Sequence, residues 1–347
     1  MSRATRILGR TLVGAGAIGL ALGGSTAVGA VVTDAVYVLA ETRTGEGWVP
    51  SFGTASKTDA ALTALPEPFS SESFPSAAEL VGEVGYAIIS GETDSGWATW
   101  LLTWNPDAGA ITGEMQLSTS PTGVPFGPGQ SGYFELEYNG LDSLADGTLR
   151  STLCLAADDG DGGSDSGCYV VTLGTDGSVA VVADITFAVE ALEEFPTSLA
   201  TDPTSGTTWV FLDAANPFAL PVTGSTSGTL TELAGIGAAY GPTSPLGADF
   251  DSTGALWIAI EVDGVEDEAL MFFPAGTDLA TTEPANIGFF PGDGVEFVAE
   301  AVLTLADLPP GLPGTGSTIA AAGIAIGGVG VLVVGAVLLT AGRHRSA

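Results

Sequence analysis

The chain has 347 residues, and its 41 acidic side chains outnumber the eight basic ones, giving a formal net charge of −33 at neutral pH. A surface of this sign repels phosphate backbones and anionic lipids, which excludes nucleic acid as a partner. The acidic residues alternate with apolar and aromatic ones and 45% of the residues are hydrophobic, so the composition is that of a folded chain.

Residues 1–30 have the three parts of a secretory signal peptide. Three arginines lie among the first ten residues, Thr11 to Leu22 is apolar, and a small-residue stretch ends in Val28-Gly29-Ala30. An apolar stretch this short suits a cleaved signal better than a membrane span. We therefore expect general secretory export with cleavage after Ala30, and cleavage after Ala27 is the alternative.

Short apolar runs bounded by Gly, Asp, Asn, Ser or Pro fill residues 31–305. This is the strand-and-turn pattern of an all-β protein, and no internal stretch has the composition of a linker. Phe187 to Phe195 is the one stretch with helical character. We therefore predict an all-β ectodomain over 31–305. The clearest strands are Ala35–Leu39, Gly85–Ile89, Ala98–Trp104, Cys168–Leu173, Trp209–Leu212 and Leu256–Ile260.

One turn sequence recurs at intervals of about 50 residues. Asp202 to Val210 reads DPTSGTTWV, Asp251 to Ile258 reads DSTGALWI, and Ala145 to Arg150 is a fainter copy. A second kind of hairpin also recurs. One copy precedes the turn at Ala145, and the other two follow the turns at Ala145 and Asp202. The copies begin at Asn105, Gly174 and Gly224, and we align Gly177 of the second copy with Gly228 of the third.

Two alternating hairpins per repeat are what a four-stranded propeller blade requires. The first turn resembles that of the diffuse family of blades typified by NHL and strictosidine-synthase-like propellers, over residues 138–290, and this resemblance implies no activity. Five units are visible near residues 35, 85, 145, 200 and 248. Residues 295–305 would join the first strands in a sixth unit and close the ring. We predict a β-propeller of five to six four-stranded blades, with two β-sandwich domains as the alternative.

Tryptophans recur in the predicted strands. In a propeller, tryptophans most often pack between blades. The alternative is a platform on which a sugar ring stacks. Tryptophans that recur at the same position of a repeat favour packing, because a ligand site need not repeat. The residues concerned are Trp97, Trp100, Trp104, Trp209 and Trp257.

Cys154 and Cys168 are the only cysteines, and 13 residues separate them. In an exported chain such a pair on two arms of a hairpin predicts a disulfide. Closing a loop of this size stabilises a fold by about 3 kcal/mol in the chain-entropy model. The pair is a poor zinc site, because the chain has no third cysteine and its one histidine, His344, lies beyond the mature part.

The loop between the cysteines is the candidate metal site of the sequence. Asp158, Asp159, Asp161 and Asp165 lie among glycines, and Ca²⁺ favours several carboxylate oxygens on a flexible turn. The spacing is not that of an EF-hand, because Gly163 stands where the third acid should be. Calcium is therefore the one cofactor considered, and a solvated turn tip is the alternative.

The pentapeptide Leu312-Pro313-Gly314-Thr315-Gly316 begins the last part of the chain. An uncharged apolar run from Ile319 to Leu339 follows, and Arg343 and Arg345 come after it. About 20 apolar residues cross a bilayer, and arginines beyond them stay on the cytoplasmic side. In order and spacing these parts resemble the LPxTG sorting signal of wall-anchored proteins of Gram-positive bacteria.

The resemblance implies a linker at 306–311, the sorting motif at 312–316, a transmembrane helix at 317–340 and a basic tail at 341–347. A sortase would cut between Thr315 and Gly316 through a cysteine thioester and join Thr315 to peptidoglycan. The membrane would then be a partner only before sorting, through the helix. An ordinary single-pass membrane protein is the alternative.

A monomer is expected, because a pilus subunit needs a lysine in a Tyr-Pro-Lys setting. Lys57 is the only lysine between residues 31 and 315, and it lies in TASKTDA, where we expect a turn and a solvated charge. No histidine lies in that range either, which excludes Ser-His-Asp and Cys-His catalysis and histidine-ligated metal centres.

The expected function is that of a wall-anchored extracellular surface protein that binds a ligand or has a structural role. No catalytic residue is assigned. The many carboxylates leave a secreted propeller hydrolase, acting on carbohydrate or lactone, as the alternative. A divalent ion bound at the central channel by converging acids, or a deep pocket, would favour the enzyme. An exposed aromatic patch on one rim would favour a binding module, and a channel filled by apolar side chains without such a patch would favour the structural role.

Overall fold

A computed structural model describes residues 35–303, apart from 45–46, 71–74, 83, 94–95, 125–132, 145, 159–163, 215, 241–242, 263–267 and 291–296. All of them belong to the unit Met1–Asp307. Among these residues no helix is long and apolar enough to span a membrane. The signal peptide, the sorting motif and the expected membrane helix at 317–340 lie outside the described residues.

The described strands form five antiparallel sheets, which we call blades 1 to 5 and give from the innermost strand outward. Blade 1 consists of β21 (Phe297–Leu303), β1 (Ala35–Thr44), β2 (Gly47–Ser56) and β3 (Leu62–Ala64). Blade 2 consists of β4 (Ala77–Val81), β5 (Val84–Thr93), β6 (Gly96–Asn105) and β7 (Ala110–Gln116). Blade 3 consists of β8 (Tyr133–Ser143), β9 (Leu149–Asp158), β10 (Ser164–Leu173) and β11 (Val179–Asp184).

Blade 4 consists of β12 (Pro196–Thr201), β13 (Thr208–Leu212), β14 (Phe218–Thr223) and β15 (Thr226–Ser227), and β16 (Thr231–Glu232) also pairs with β14. Blade 5 consists of β17 (Thr243–Phe250), β18 (Leu256–Val262), β19 (Ala269–Phe273) and β20 (Ala285–Phe289). Every pairing between neighbouring strands within these blades is antiparallel, as the alternating turns predict.

The innermost strands contact one another in a closed ring, in the order β21, β4, β8, β12, β17 and back to β21. The protein is therefore a five-bladed β-propeller, and the sandwich alternative is wrong. The expected pairing of residues 295–305 with the first strands is confirmed, since β21 pairs with β1. It completes blade 1, however, so no sixth blade arises from it.

Two short helices link blades. α1 (Thr186–Leu192) joins blade 3 to blade 4 and confirms the helical stretch expected from Phe187 to Phe195. α2 (Ala234–Tyr240) joins blade 4 to blade 5 and was not predicted, because its sequence AGIGAAY has two glycines and little helical periodicity. Burial of Leu233 and Ile236 in the adjacent core accounts for the helix there.

A separate hydrophobic cluster lies at each of the five interfaces between neighbouring blades. Trp104 is fully buried between blades 1 and 2, Trp257 packs between blades 5 and 1, and Trp209 packs against the cluster between blades 4 and 5. The interpretation of these tryptophans as packing residues is confirmed. Trp100 is half-buried and packs against the cluster between blades 1 and 2. The side chain of Trp97 is outside the described residues.

The first repeated turn joins the first and second strands of blades 3, 4 and 5. Its glycines Gly147, Gly206 and Gly254 have φ of 82°, 69° and 82°, which a residue with a Cβ rarely adopts. In blades 4 and 5 the leading aspartate accepts the backbone N–H two residues on, from Thr204 to Asp202 and from Thr253 to Asp251. The predicted repeat is therefore a structural repeat.

The second repeated turn joins the third and fourth strands of blades 2, 3 and 4. Gly109, Gly177 and Gly224 have positive φ there, so the alignment of Gly177 with Gly228 is wrong. Thr223 pairs with Thr226 across the blade 4 turn, which leaves a loop of two residues with Gly224 first. Because this loop is shorter than expected, the glycine equivalent to Gly177 is Gly224, four residues before Gly228.

Cys154 and Cys168 lie opposite each other in the pairing of β9 with β10 and form the predicted disulfide, with both side chains buried between blades 3 and 4. Lys57 lies in the turn between β2 and β3, as expected. It is half-buried and not simply solvated, because its Nζ lies 5.0 Å from the ring centroid of Trp257 in blade 5.

The packing of Trp104 yields a first prediction. Gly85 lies opposite Trp104 in the pairing of β5 with β6, and a Cβ at Gly85 would come within 2.0 Å of the indole. The ring has little room to move, because Phe52 contacts it edge-on at 4.7 Å between centroids. We expect Gly85→Ala to lower the free energy of unfolding by about 1–3 kcal/mol in urea titrations.

Gly91 of the same strand is the matched control. A Cβ there would meet only Trp100, at 3.6 Å, so Gly91→Ala should leave the denaturation midpoint nearly unchanged. Equal midpoints for the Gly85 and Gly91 variants would contradict the packing of Trp104 against the backbone of Gly85.

The turn at Asp202 yields a pH-dependent prediction. Burial disfavours ionisation of this carboxyl, but hydrogen bonds from Thr204 and Ser205 outweigh burial and lower the pKa below its ordinary value of 3.8. A carboxyl with a lowered pKa stabilises the fold above its unfolded pKa, and this stabilisation is lost as the pH falls. Asp202→Ala should therefore cost about 1 kcal/mol at pH 7 and much less near pH 3, measured by chemical denaturation.

Asp202→Asn separates the two contributions. The amide oxygen still accepts the N–H of Thr204 but carries no charge, so this variant should keep part of the stability and lose most of the pH dependence. If Asp202→Ala were equally destabilised at both pH values, the turn carboxylate would not be the stabilising group.

Candidate functional site

Three carboxylates from different blades meet at the axis of the propeller. They belong to Glu79 on β4, Asp142 on β8 and Asp249 on β17, and one oxygen of each lies within 4.8 Å of the others. Blades 3 and 5 are not neighbours in the ring, so Asp142 and Asp249 approach each other across the centre. All three side chains are buried, with exposed fractions of 2%, 4% and 4%.

The innermost strands place these side chains at one level of the ring. Asp142 and Asp249 are each the penultimate residue of their strand, and Glu79 is the central residue of the short strand β4. Because each blade repeats the same up-and-down order, the innermost strands run in the same direction. The carboxylates therefore lie toward the end of the axis at which these strands end.

Hydrogen bonds from Ser143 orient Glu79 and Asp142, and one oxygen of Asp142 is left unused. The Ser143 hydroxyl donates to Oε1 of Glu79 at 3.0 Å, and the Ser143 backbone N–H donates to Oδ1 of Asp142 at 2.6 Å. Within the described part of the chain, Oδ2 of Asp142 has no hydrogen-bond partner although it is buried. A buried carboxylate oxygen without a partner is rare and unfavourable, so this oxygen remains available to a ligand.

One buried cation lies beside the cluster. Arg150 on β9 is opposite Asp142 in the strand pairing and is 8% exposed. Its Nη1 donates to the Thr208 hydroxyl at 2.6 Å, and Thr208 in turn shares a hydrogen bond with Thr201 at 2.9 Å. The guanidinium is thus held by blade 4 while its charge acts on Asp142.

The environment of the cluster strongly disfavours three negative charges. Burial raises the pKa of Glu79 well above its usual range, and repulsion from Asp249 and Asp142 raises it further. Burial likewise raises the pKa of Asp142 to about 7, since Thr201, Ser143 and Arg150 offset burial only in part. Such a group of acids must take up either protons or a cation to be stable in the interior.

The spacing of the carboxylates bears on what chemistry they support. Hydrolysis of a glycosidic bond uses two carboxyl groups about 5–5.5 Å or about 6.5–9.5 Å apart, with the sugar between them. Here the oxygens lie within 4.8 Å of one another and are buried. Oxygens this close can bind one small ion together, and the burial of all three side chains leaves them poorly accessible to a sugar ring.

Sequence reasoning did not find this cluster, although the repeat contained a signal for it. Asp142, Thr201 and Asp249 each lie five residues before the turn glycine of their blade, Gly147, Gly206 and Gly254 respectively. An alignment of the three repeats would have placed two acids and a threonine at the same inner position. Glu79 precedes a different turn and has no such signal.

The site residues named from sequence lie elsewhere. The cysteine pair forms its disulfide in blade 3, away from the ring of innermost strands. The side chains of Asp158, Asp159, Asp161 and Asp165 and the sorting motif Leu312 to Gly316 lie outside the described residues, so those two predictions stay predictions.

No protein-family model and no curated protein sequence matches the chain. Solved structures with a similar fold include an engineered GH43 glycoside hydrolase (14% identity, TM-score 0.38, 62% of this chain and 41% of that one). Others are a family 117 glycoside hydrolase from the marine bacterium Zobellia galactanivorans (13%, 0.34, 67% and 69%) and a glucose dehydrogenase (10%, 0.36, 72% and 86%). The chain thus covers less than half of the GH43 hydrolase. At such low identities and TM-scores, the likeness says nothing about what this chain binds or converts.

Proposed function

We propose that the protein is an extracellular surface protein whose propeller is exported through residues 1–30 and attached to peptidoglycan at Thr315 by a sortase. The order and spacing of the two terminal signals support this proposal. The disulfide between Cys154 and Cys168 supports it too, because disulfides persist mainly outside the reducing cytoplasm.

The observation that carries the proposal further is the position of β21. This strand is the last one among the described residues and also the innermost strand of blade 1, so Leu303 lies beside the axis. Leu303 lies at the face where all innermost strands end, which also bears the turns 202–207 and 251–255. We call this the tethered face, and the opposite face, which bears α1, the free face.

In the anchored protein the tethered face would lie toward the point of attachment. Twelve residues lead from Leu303 to Thr315, and a fully extended chain of that length reaches at most about 40 Å. A tether this short keeps the propeller close to the wall, and we propose that the free face is directed outward. Ligand binding or contact with other surfaces would then fall to the free face.

Attachment is tested by changing Leu312-Pro313 to Ala-Ala. Because the sortase would no longer recognise the motif, we expect the protein to move from the wall fraction to the membrane fraction while export stays intact. Immunoblots of muralytic digests and of detergent extracts measure this. Complete extraction of the wild-type protein by detergent alone would rule out covalent attachment.

Orientation is tested with two single-cysteine variants, since the native cysteines are paired and give no background. Glu194→Cys is exposed on the free face beside α1, and Ser225→Cys is exposed on the tethered face between β14 and β15. On intact cells we expect a bulky maleimide to label the Glu194 variant several times faster than the Ser225 variant.

After wall digestion the two rates should become similar, which controls for intrinsic differences between the thiols. Faster labelling at Ser225 on intact cells would show that the tethered face points outward and would contradict the proposed orientation.

A hydrolase acting on carbohydrate is the second candidate function. The convergence of three acids on the axis favours it, because catalysis of this type needs paired carboxylates. The burial of those acids favours the binding of a small ion instead. If the wild-type protein hydrolysed a polysaccharide and Asp142→Asn lost this activity with the fold intact, hydrolysis would become the favoured function.

A further inference from the structure

We propose that Glu79, Asp142 and Asp249 together bind one divalent cation at the propeller axis, and that calcium is the ion that fits best. This site is distinct from the aspartate-rich loop between the cysteines, which the sequence suggests. It is also independent of wall attachment, so either proposal can fail without the other.

The distances between the oxygens match the size of calcium. Ca²⁺ binds oxygens at about 2.3–2.6 Å, so two oxygens on opposite sides of the ion lie at most about 5 Å apart. The three carboxylate oxygens lie within 4.8 Å of one another. Mg²⁺ demands near-ideal octahedral geometry at about 2.0–2.1 Å and gives up its water reluctantly, so a site of three carboxylates from three separate strands suits the more flexible coordination of Ca²⁺ better. Zinc prefers nitrogen or sulfur ligands, and neither type is present in the cluster.

The unused oxygen of Asp142 is a second, independent indication of a ligand. Asp142 is 4% exposed, its Oδ1 already accepts the backbone N–H of Ser143, and its Oδ2 has no partner among the described residues. The interior of a protein rarely leaves a carboxylate oxygen unsatisfied. A cation at the axis would satisfy this oxygen.

The charge of the site fits a divalent ion. Three ionised carboxylates contribute −3 and the neighbouring Arg150 contributes +1, so the group carries −2. One divalent cation brings the buried set to neutrality, whereas a monovalent ion would leave an uncompensated charge. Ca²⁺ takes six to eight oxygen ligands, so hydroxyls or water would supply those that the three carboxylates do not.

The experiment uses the full-length chain purified in mild detergent, freed of metal with a chelator. Calcium is then added at about 5 mM, because extracellular calcium modules bind in the range of about 0.1–1 mM. Isothermal titration calorimetry gives the stoichiometry, and thermal unfolding gives the change in Tm. For the wild type we expect a Tm increase of roughly 5 °C or more with calcium and little change with magnesium.

Asp142→Asn is the main variant, since the amide keeps the shape and one acceptor oxygen but removes the charge. We expect it to lose most of the calcium-dependent Tm increase. Without calcium it should melt at or above the wild-type temperature, because it removes repulsion among the buried acids. Glu79→Gln repeats the test on another blade if the first variant does not fold.

Two control variants separate this site from other acids. Glu194→Gln removes an exposed charge on the free face and should keep the full calcium response. The second control replaces Asp158, Asp159, Asp161 and Asp165 together by Asn, and it should also keep the response if the ion lies at the axis.

Three results would overturn the proposal. A wild-type Tm that does not respond to calcium would show that the cluster is neutralised by protons alone. A response that persists in both Asp142→Asn and Glu79→Gln would place the ion elsewhere. A response lost only in the four-aspartate variant would assign calcium to the loop between the cysteines.

Discussion

The pairing of β21 with β1 is the interaction on which the rest of the structure depends. It joins Phe297–Leu303 to strand residues more than 250 positions earlier and turns a row of five sheets into a ring. Each hydrophobic cluster lies between two blades, so without closure the cluster shared by blades 5 and 1 would be exposed to water. The contact of Lys57 with Trp257 spans the same interface. Such long-range closure is slow to form, because loop entropy must be overcome before the contacts exist.

The same closure creates the unfavourable centre of the molecule. The packing of apolar sheet faces against each other does not require buried acids. The innermost strands nevertheless bring three buried carboxylates together. Five interfaces of apolar packing hold these charged groups in place against their repulsion. Stability and binding chemistry therefore lie in different parts of the fold, with packing between the blades and chemistry at the axis. A polar axis also argues against a purely structural propeller with an apolar centre.

Much of this architecture was predictable because it is local. The turn glycines with positive φ and the alternating strands repeat in the sequence, and each expresses a constraint within one blade. The cluster was not found, because Glu79, Asp142 and Asp249 are far apart in sequence and only ring closure makes them neighbours. The error at Gly228 came from a loop shortened by strand pairing at Thr223, which composition does not reveal. Helix α2 was missed because burial, and not helical propensity, forms it.

The position of β21 has a mechanical consequence for a protein held at its C-terminal end. Any pull between a ligand on the free face and the attachment point would run along the axis and enter the domain at Leu303. The strand that receives this tension lies parallel to it, so all the hydrogen bonds between β21 and β1 would be strained together in shear and not broken one after another. Resistance to force would then reside in the first blade, and yielding there would open the ring at its centre and separate the three acids.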